Sequence, residues 1–187
     1  MQLEQVSQDV MAAVLQVDAS KEPFRGYQPG VGPYSEPQLV KRIAAYLNSL
    51  PAYKGLVHTQ RTPDLLIRGH RAIEFKITRP FGDNGEEAEN WSVNLLHPYP
   101  GNVSTISDSL KLLELNSEER KAVIVIGYEH VPAKIDLTPL VQSFETIAVH
   151  VTHIRLSSRI ELRQDGLVHS VHQAARLFAW EVLPSAA

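Results

Sequence analysis

The segment KAVIVIGYE at 121–129 is apolar almost without a break. A strand with one wet face would alternate apolar and polar side chains, because successive Cβ atoms point to opposite faces. An unbroken run predicts a strand buried on both faces. That constrains the chain to a central β-sheet flanked by helices, and the other segments must supply the flanks. With 187 residues the chain suits one globular domain, in which about 70% of the unfolded surface is buried.

Leu3, Val6, Val10, Val14 and Val17 recur at three- and four-residue spacing and predict a first amphipathic helix. The stretch EPFRGYQPGVGPYSEP holds four prolines and three glycines in sixteen residues, so it reads as a loop. Ser35 ends that loop as an N-cap, with Gln38 completing a capping box and Pro37 in the first turn of a second helix. Leu39, Ile43, Leu47 and Leu50 form that helix's apolar stripe. KGLVHTQRT predicts a first strand, and residues 64–68 and 71–78 a second and third, joined across Gly69 and His70. After the polar loop RPFGDNGEEAENW and a Pro/Asn/Gly stretch around HPYPGN, a helix is predicted over 105–115, with Ile106, Leu110 and Leu113 inward.

Beyond the apolar strand, Thr138 and Pro139 open another helix. Gln164-Asp165-Gly166 predicts a hairpin between RIELR and LVHSV. HQAARLFAWEVL predicts a closing amphipathic helix. The expectation is a mixed α/β (α+β) fold in a single domain. It comprises an N-terminal helix and Pro/Gly loop over 1–34, a core over 35–129, and a C-terminal extension of hairpin and helix over 130–187.

Composition narrows the chemistry. The chain has no cysteine, which excludes disulfides and thiolate metal sites and fits a reducing compartment. MQLEQVSQD lacks the basic and apolar regions of a secretory signal, and no run of about eighteen apolar residues occurs. The expectation is a cytoplasmic protein without a membrane segment. A net charge of −3 gives no global attraction to nucleic acid, so such a partner would need local basic patches or bridging metal ions.

The hairpin TPDLLIRGHRAIEFKITRP, 62–80, carries an Asp, a Glu and a Lys where burial is expected. Alternation puts Ile73, Phe75 and Ile77 on one face of the third strand and Glu74 and Lys76 on the other; Asp64 joins the latter across the turn. Two carboxylates held together repel unless a proton or cation lies between them. Hard oxygen ligands of this kind suit Mg²⁺, which takes one or two carboxylates plus waters and substrate phosphate. A neighbouring lysine can orient water and offset phosphoryl charge. The plainer alternative is a solvated face of surface ion pairs.

Pro63-Asp64, nine residues, then Glu74-Phe75-Lys76 resembles the PD-(D/E)XK motif of the restriction-endonuclease-like nuclease superfamily. The element order from Ser35 to Glu129 is similar to that superfamily's core of helix, three strands, helix and strand. The resemblance implies that Asp64, Glu74 and the Phe75 carbonyl ligate Mg²⁺ (or Mn²⁺) and that Lys76 positions the attacking water. It also implies that Glu36 is the acidic residue of the first core helix, although a carboxylate there equally suits the helix dipole. The implied activity is phosphodiester hydrolysis, with DNA as the expected substrate; the alternative is a non-catalytic nucleic-acid-binding or scaffolding module on the same core. A restriction role further implies a homodimer, since two strands need two sites. Leu177, Phe178 and Trp180 of the closing helix are its candidate interface, with core packing an equal explanation.

Other residues carry two readings each. The acidic loop with Asp83, Glu86, Glu87 and Glu89 either closes over substrate or is merely solvated. Trp91, Asn94 and His97 either contact a nucleotide or anchor the core. His150/His153 and His169/His172 form HxxH pairs that fit exposed strands better than a zinc site, and His58 reads as structural. Arg155, Arg159, Arg163 and Arg176 form either a phosphate-facing patch or internal ion pairs.

Overall fold

In a computed structural model that describes residues 1–97 and 103–184, β4 (Arg120–Glu129) is the spine of the sheet. Every residue from Ala122 to Glu129 is buried, as its composition predicts. Gly127 is the exception in side-chain size: a Cβ there would fall 2.2 Å from Leu137 Cδ1, so the strand admits no larger residue without displacing that side chain.

β4 pairs in parallel with β3 (Arg71–Thr78) and antiparallel with β7 (Ala174–Leu183). β1 (Val57–Thr59) and β2 (Leu65–Ile67) continue the sheet beyond β3. Two short strands, β5 (Arg155–Leu156) and β6 (Ile160–Asp165), line the far edge of β7. The result is a mixed α/β fold on an open, mostly antiparallel sheet of seven strands. The β3–β4 pair is parallel, and a parallel pair requires a long crossover. Here it runs through α3 (Val93–Leu96) and α4 (Thr105–Glu114).

Helices cover both faces. α1 (Leu3–Ala19) and α2 (Glu36–Ser49) pack on Ile73, Phe75, Ile124 and Ile126. α3, α4 and α5 (Thr138–His150) pack on Ala72, Val123, Val125 and Trp180. No helix among the described residues is long and apolar enough to cross a membrane.

Several local expectations are corrected. The closing segment is the strand β7 rather than a helix, and it takes the place next to β4. Ala174 to Trp180 are all buried, and a segment apolar on both faces satisfies a helical period and a strand period equally well. Gly166, at φ 84°, does end β6, but the returning strand is β7 and not LVHSV, which forms a loop. Leu177, Phe178 and Trp180 are fully buried, so none can serve as a dimer interface.

The helix starts differ in detail as well. Ser35 occupies the N-cap of α2 without a side-chain cap, so the capping box with Gln38 does not form. At α5 the expected N-cap is Thr138, but Leu137 takes that place without a side-chain cap, and the Asp136 carboxylate accepts the Thr138 N–H at 2.9 Å. On α4, Ile106 and Leu112 are the buried apolar residues, while Leu110 and Leu113 are half-buried. The HPYPGN stretch falls largely on 98–102, outside the described residues.

The C-terminal arginines are spent internally. Arg176 is buried among Glu129 at 3.1 Å, Asp136 at 3.0 Å and Glu161 at 2.5 Å. Arg163 pairs with Glu129 at 2.7 Å, Arg159 with Glu145 at 3.2 Å, and Arg155 donates to the Pro184 carbonyl at 3.1 Å. They make no phosphate-facing patch.

Trp180 anchors the α5 side of the sheet. Its ring meets Phe144 edge-on at 5.0 Å between centroids, and its indole N–H donates to Glu145 at 2.9 Å. Trp180→Ala is expected to lower the unfolding free energy by about 3–5 kcal/mol, measured by urea denaturation.

Candidate active site

The β2–β3 pairing runs only from Ile67↔Arg71 to Leu65↔Ile73. Beyond Ile73 the outer edge of β3 has no strand partner, yet buried backbone N–H groups must find acceptors. Two carboxylates supply them. Asp64, just before β2, accepts the Phe75 N–H at 2.9 Å, and Glu36, in the first turn of α2, accepts the Ile77 N–H at 3.1 Å. The end of the hairpin pairing thus draws Asp64 and Glu36 to one stretch of strand.

Glu74 and Lys76 project onto the α4 side of the sheet, opposite to Phe75 and Ile77, and each is only 5% exposed. Lys76 Nζ lies 3.3 Å from Glu36 Oε1 and 2.9 Å from Asp108 Oδ2 on α4. The Asp108 contact is an ion pair rather than an aligned hydrogen bond, since Oδ2 has no hydrogen-bonding partner. Lys111 pairs with the other oxygen, Oδ1, at 2.7 Å. The four predicted side chains, Asp64, Glu74, Lys76 and Glu36, therefore do converge around β3.

Asp108 is the site residue that sequence reasoning missed. A signal was available: Thr105, Asp108 and Leu112 share the helical spacing of one face, and all three are buried. A carboxylate on a buried helical stripe requires a partner inside the fold.

Burial is the main reason the Glu74 carboxyl is pushed up to about 9, followed by its hydrogen bond to Asp64 and the charges of Asp64 and Asp108. When no cation is present, Glu74 therefore keeps its proton at neutral pH, held in the hydrogen bond to Asp64. Burial also raises Glu36, with the Lys76 charge opposing. For Lys76, burial pulls the ammonium down, but Glu36 and Asp108 outweigh it and the net shift is upward. Lys76 is therefore a stable cation at neutral pH.

Among the described residues no three His, Asp or Glu side chains stand together as a metal cage. The Asp64–Glu74 pair fits a different mode, in which Mg²⁺ keeps several waters and takes one or two carboxylates. Glu74 Oε1 is buried without a hydrogen-bond partner. The Phe75 carbonyl leaves the strand on the same open edge as its N–H. These oxygens suit a hard divalent cation, which would replace the Glu74 proton.

The remaining candidates are structural in their contacts. His169 and His172 are buried rather than exposed, with rings stacked at 4.4 Å, because LVHSV is a loop tucked under its neighbours. His169 Nδ1 accepts the N–H groups of Val171 and His172 at 3.1 Å, and its Nε2–H faces Asp83 at 2.7 Å. Asp83 also accepts the Gln28 N–H at 3.1 Å. The acidic loop is thus tied down at one end. His150 and His153 are exposed at the end of α5. His58 is half-buried, and its enclosed Nε2 has no hydrogen-bond partner. Trp91 is half-buried against the α4-side core, and the carbonyls of Asn94 and His97 accept from Thr105 and Ser104.

A pH dependence follows. The folded Glu74 carboxyl titrates near 9, above the ~4.3 of an unfolded glutamate. Between those values the folded chain holds a proton that the unfolded chain has lost, so stability falls as pH rises. In EDTA, the urea midpoint is expected to decline from about pH 5 to about pH 9, and Glu74→Gln to flatten that decline.

No family model, curated protein or solved structure matches the chain.

Proposed function

We propose that the chain is a metal-dependent nuclease with a restriction-endonuclease-like core, hydrolysing phosphodiester bonds of DNA. The observation that carries this reading is the meeting of Asp64, Glu74 and Lys76 at the open edge of β3, with Glu36 and Asp108 closing around the lysine. The order α2, β1, β2, β3, α4, β4 is the order the superfamily core would have. Asp64, Glu74 and the Phe75 carbonyl would hold Mg²⁺ or Mn²⁺, which supplies Lewis-acid polarisation of a phosphoryl oxygen and a more acidic bound water.

The protein's own groups divide the remaining work. Lys76 is protonated at neutral pH and so is no general base; it donates to the attacking water or to a phosphoryl oxygen and offsets the charge that develops there. Glu36 and Asp108 fix where that ammonium sits. The water's oxygen bonds to phosphorus while the bond to the 3′ oxygen breaks, and the departing oxygen takes up a proton. The superfamily's products, a 5′-phosphate and a 3′-hydroxyl, are the expected ones.

The same contacts support a second reading. Asp64 and Glu36 cap strand N–H groups and Lys76 is neutralised from two sides, which also suits a scaffold without chemistry. Metal titration and cleavage separate the two. Plasmid and single-stranded DNA are to be incubated with Mg²⁺, Mn²⁺ or EDTA. Wild type is expected to cut in the presence of metal, and Asp64→Asn and Lys76→Ala to lose about 10²–10³-fold in rate. Asp64→Asn is also expected to abolish the Mn²⁺ binding seen by water-proton relaxation. Cleavage that persists in both variants would sink the nuclease reading, and a wild type that neither binds metal nor cuts would leave the scaffold.

A further inference from the structure

Arg79 leaves β3 three residues after Lys76, and its guanidinium is poorly compensated. One Nη donates to the Tyr34 carbonyl, and the guanidinium carbon lies 5.9 Å from the centre of the Tyr128 ring. Nε is buried without a hydrogen-bond partner, and among the described residues no carboxylate pairs with the group. Glu36 acts on this half-buried cation only from a distance and makes no ion pair with it, so the guanidinium has room for an anionic partner.

Two clefts open on either side of Arg79. One, of about 390 Å³, is lined by Ile77, Arg79, Phe81, Asn90, Trp91 and Asn94. The other, of about 460 Å³, is lined by Tyr27, Pro33, Arg79, Asp83 and His172. Ile77 links the first cleft to the candidate site, since Glu36 holds its N–H and also Lys76. The chemistry of the walls is specific. Trp91 offers an aromatic face, and Phe81 forms an apolar wall whose ring already carries Lys134 at 5.4 Å and meets His130 at 4.7 Å. Asn90 and Asn94 offer amide donors and acceptors, and Tyr27 stands 47% exposed at the second mouth.

We infer that Arg79 takes the phosphate of an unpaired nucleotide whose base enters the Phe81–Trp91 cleft. The substrate is then a single-stranded segment or a strand end rather than continuous duplex. This rests on the nuclease reading of the neighbouring site. Two further observations exclude duplex. A base that is still paired has its edge and faces occupied in the duplex and cannot lay a face against Trp91 in the cleft, whereas a free base can stack there. Duplex binding also needs a broad cationic face, whereas Arg159, Arg163 and Arg176 are held in ion pairs, Glu89 lines the cleft itself and the loop leading to it carries Glu86 and Glu87.

The test is fluorescence anisotropy in EDTA, with a labelled oligodeoxythymidine, its abasic counterpart and a blunt duplex of equal length. Wild type is expected to bind the strand at least about tenfold more tightly than the duplex. Trp91→Ala is expected to weaken the base-bearing strand about tenfold and to leave the abasic strand unchanged. Arg79→Gln should weaken both single strands and reduce the salt slope by about one. Arg79→Lys retains the charge and should keep that slope, which covers a glutamine variant that fails to fold.

Equal affinity for strand and duplex, or equal weakening of base-bearing and abasic strands by Trp91→Ala, overturns the inference. Metal-dependent cleavage without strand preference removes the cleft assignment and keeps the nuclease. Strand preference without cleavage keeps the cleft and removes the nuclease chemistry.

Discussion

A strand that loses its neighbour halfway along must satisfy its backbone in some other way, and β3 does so with carboxylates. Its parallel contact with β4 is complete from Arg71 to Thr78, whereas its contact with β2 stops at Ile73. Pairing another strand along Phe75 and Ile77 would have closed the sheet and left no site. Asp64 and Glu36 make the bonds instead, so the same two oxygen pairs that complete the sheet also bring negative charge against Glu74 and Lys76. Fold and candidate chemistry therefore share one constraint, and a substitution at Asp64 acts on both.

The charge balance around that edge is uneven. Asp64, Glu74, Glu36 and Asp108 surround Lys76, with Lys111 reaching only Asp108 from the surface. One enclosed ammonium cannot neutralise four carboxyls. Burial together with Asp64 and Asp108 pushes the Glu74 carboxyl up, so it meets the imbalance by keeping its proton at neutral pH. A divalent cation answers the same imbalance better, because it satisfies the unpartnered Glu74 oxygen as well as the charge. Lys76, meanwhile, is secured by the two carboxylates that a cation at Asp64 and Glu74 would leave alone.

Much of this was legible in the residues, for identifiable reasons. The apolar run of β4 fixes a doubly covered strand, because nothing in it tolerates water. The alternation of Ile73, Phe75 and Ile77 with Glu74 and Lys76 fixes which side chains share a face. β7 was misread since burial on both faces removes the alternation that separates a strand from a helix. Asp108 went unremarked because its partner lies on another element, 32 positions away in the chain. The arginines of the C-terminal third left two outcomes open, and the acids that claim them, Glu129, Asp136, Glu145 and Glu161, sit on four different segments. Periodicity reports local environment, whereas ion-pair partners across a fold depend on topology.

Topology also explains why Arg79, Phe81 and Trp91 lie beside the site. A parallel pair cannot be joined by a tight turn, so the chain must leave β3 at its C-terminal end and cross a helical layer before entering β4. The exit segment is therefore obliged to start just past Lys76, where β3 ends at Thr78, and it is held there by Tyr34 through Arg79 and by His172 and His130 through Phe81. In parallel sheets that end is the usual place for ligands, because the departing loops spread apart there. The crossover that the sheet requires thus delivers a guanidinium without an ion pair close to Glu36, and carries Phe81 and Trp91 into the cleft beside it. On the far side, β7 returns antiparallel along the length of β4 and is buried from Ala174 to Trp180. The two edges of the β3–β4 pair are consequently unequal. The edge facing β7 carries stability, and the edge that β2 abandons carries the polar chemistry.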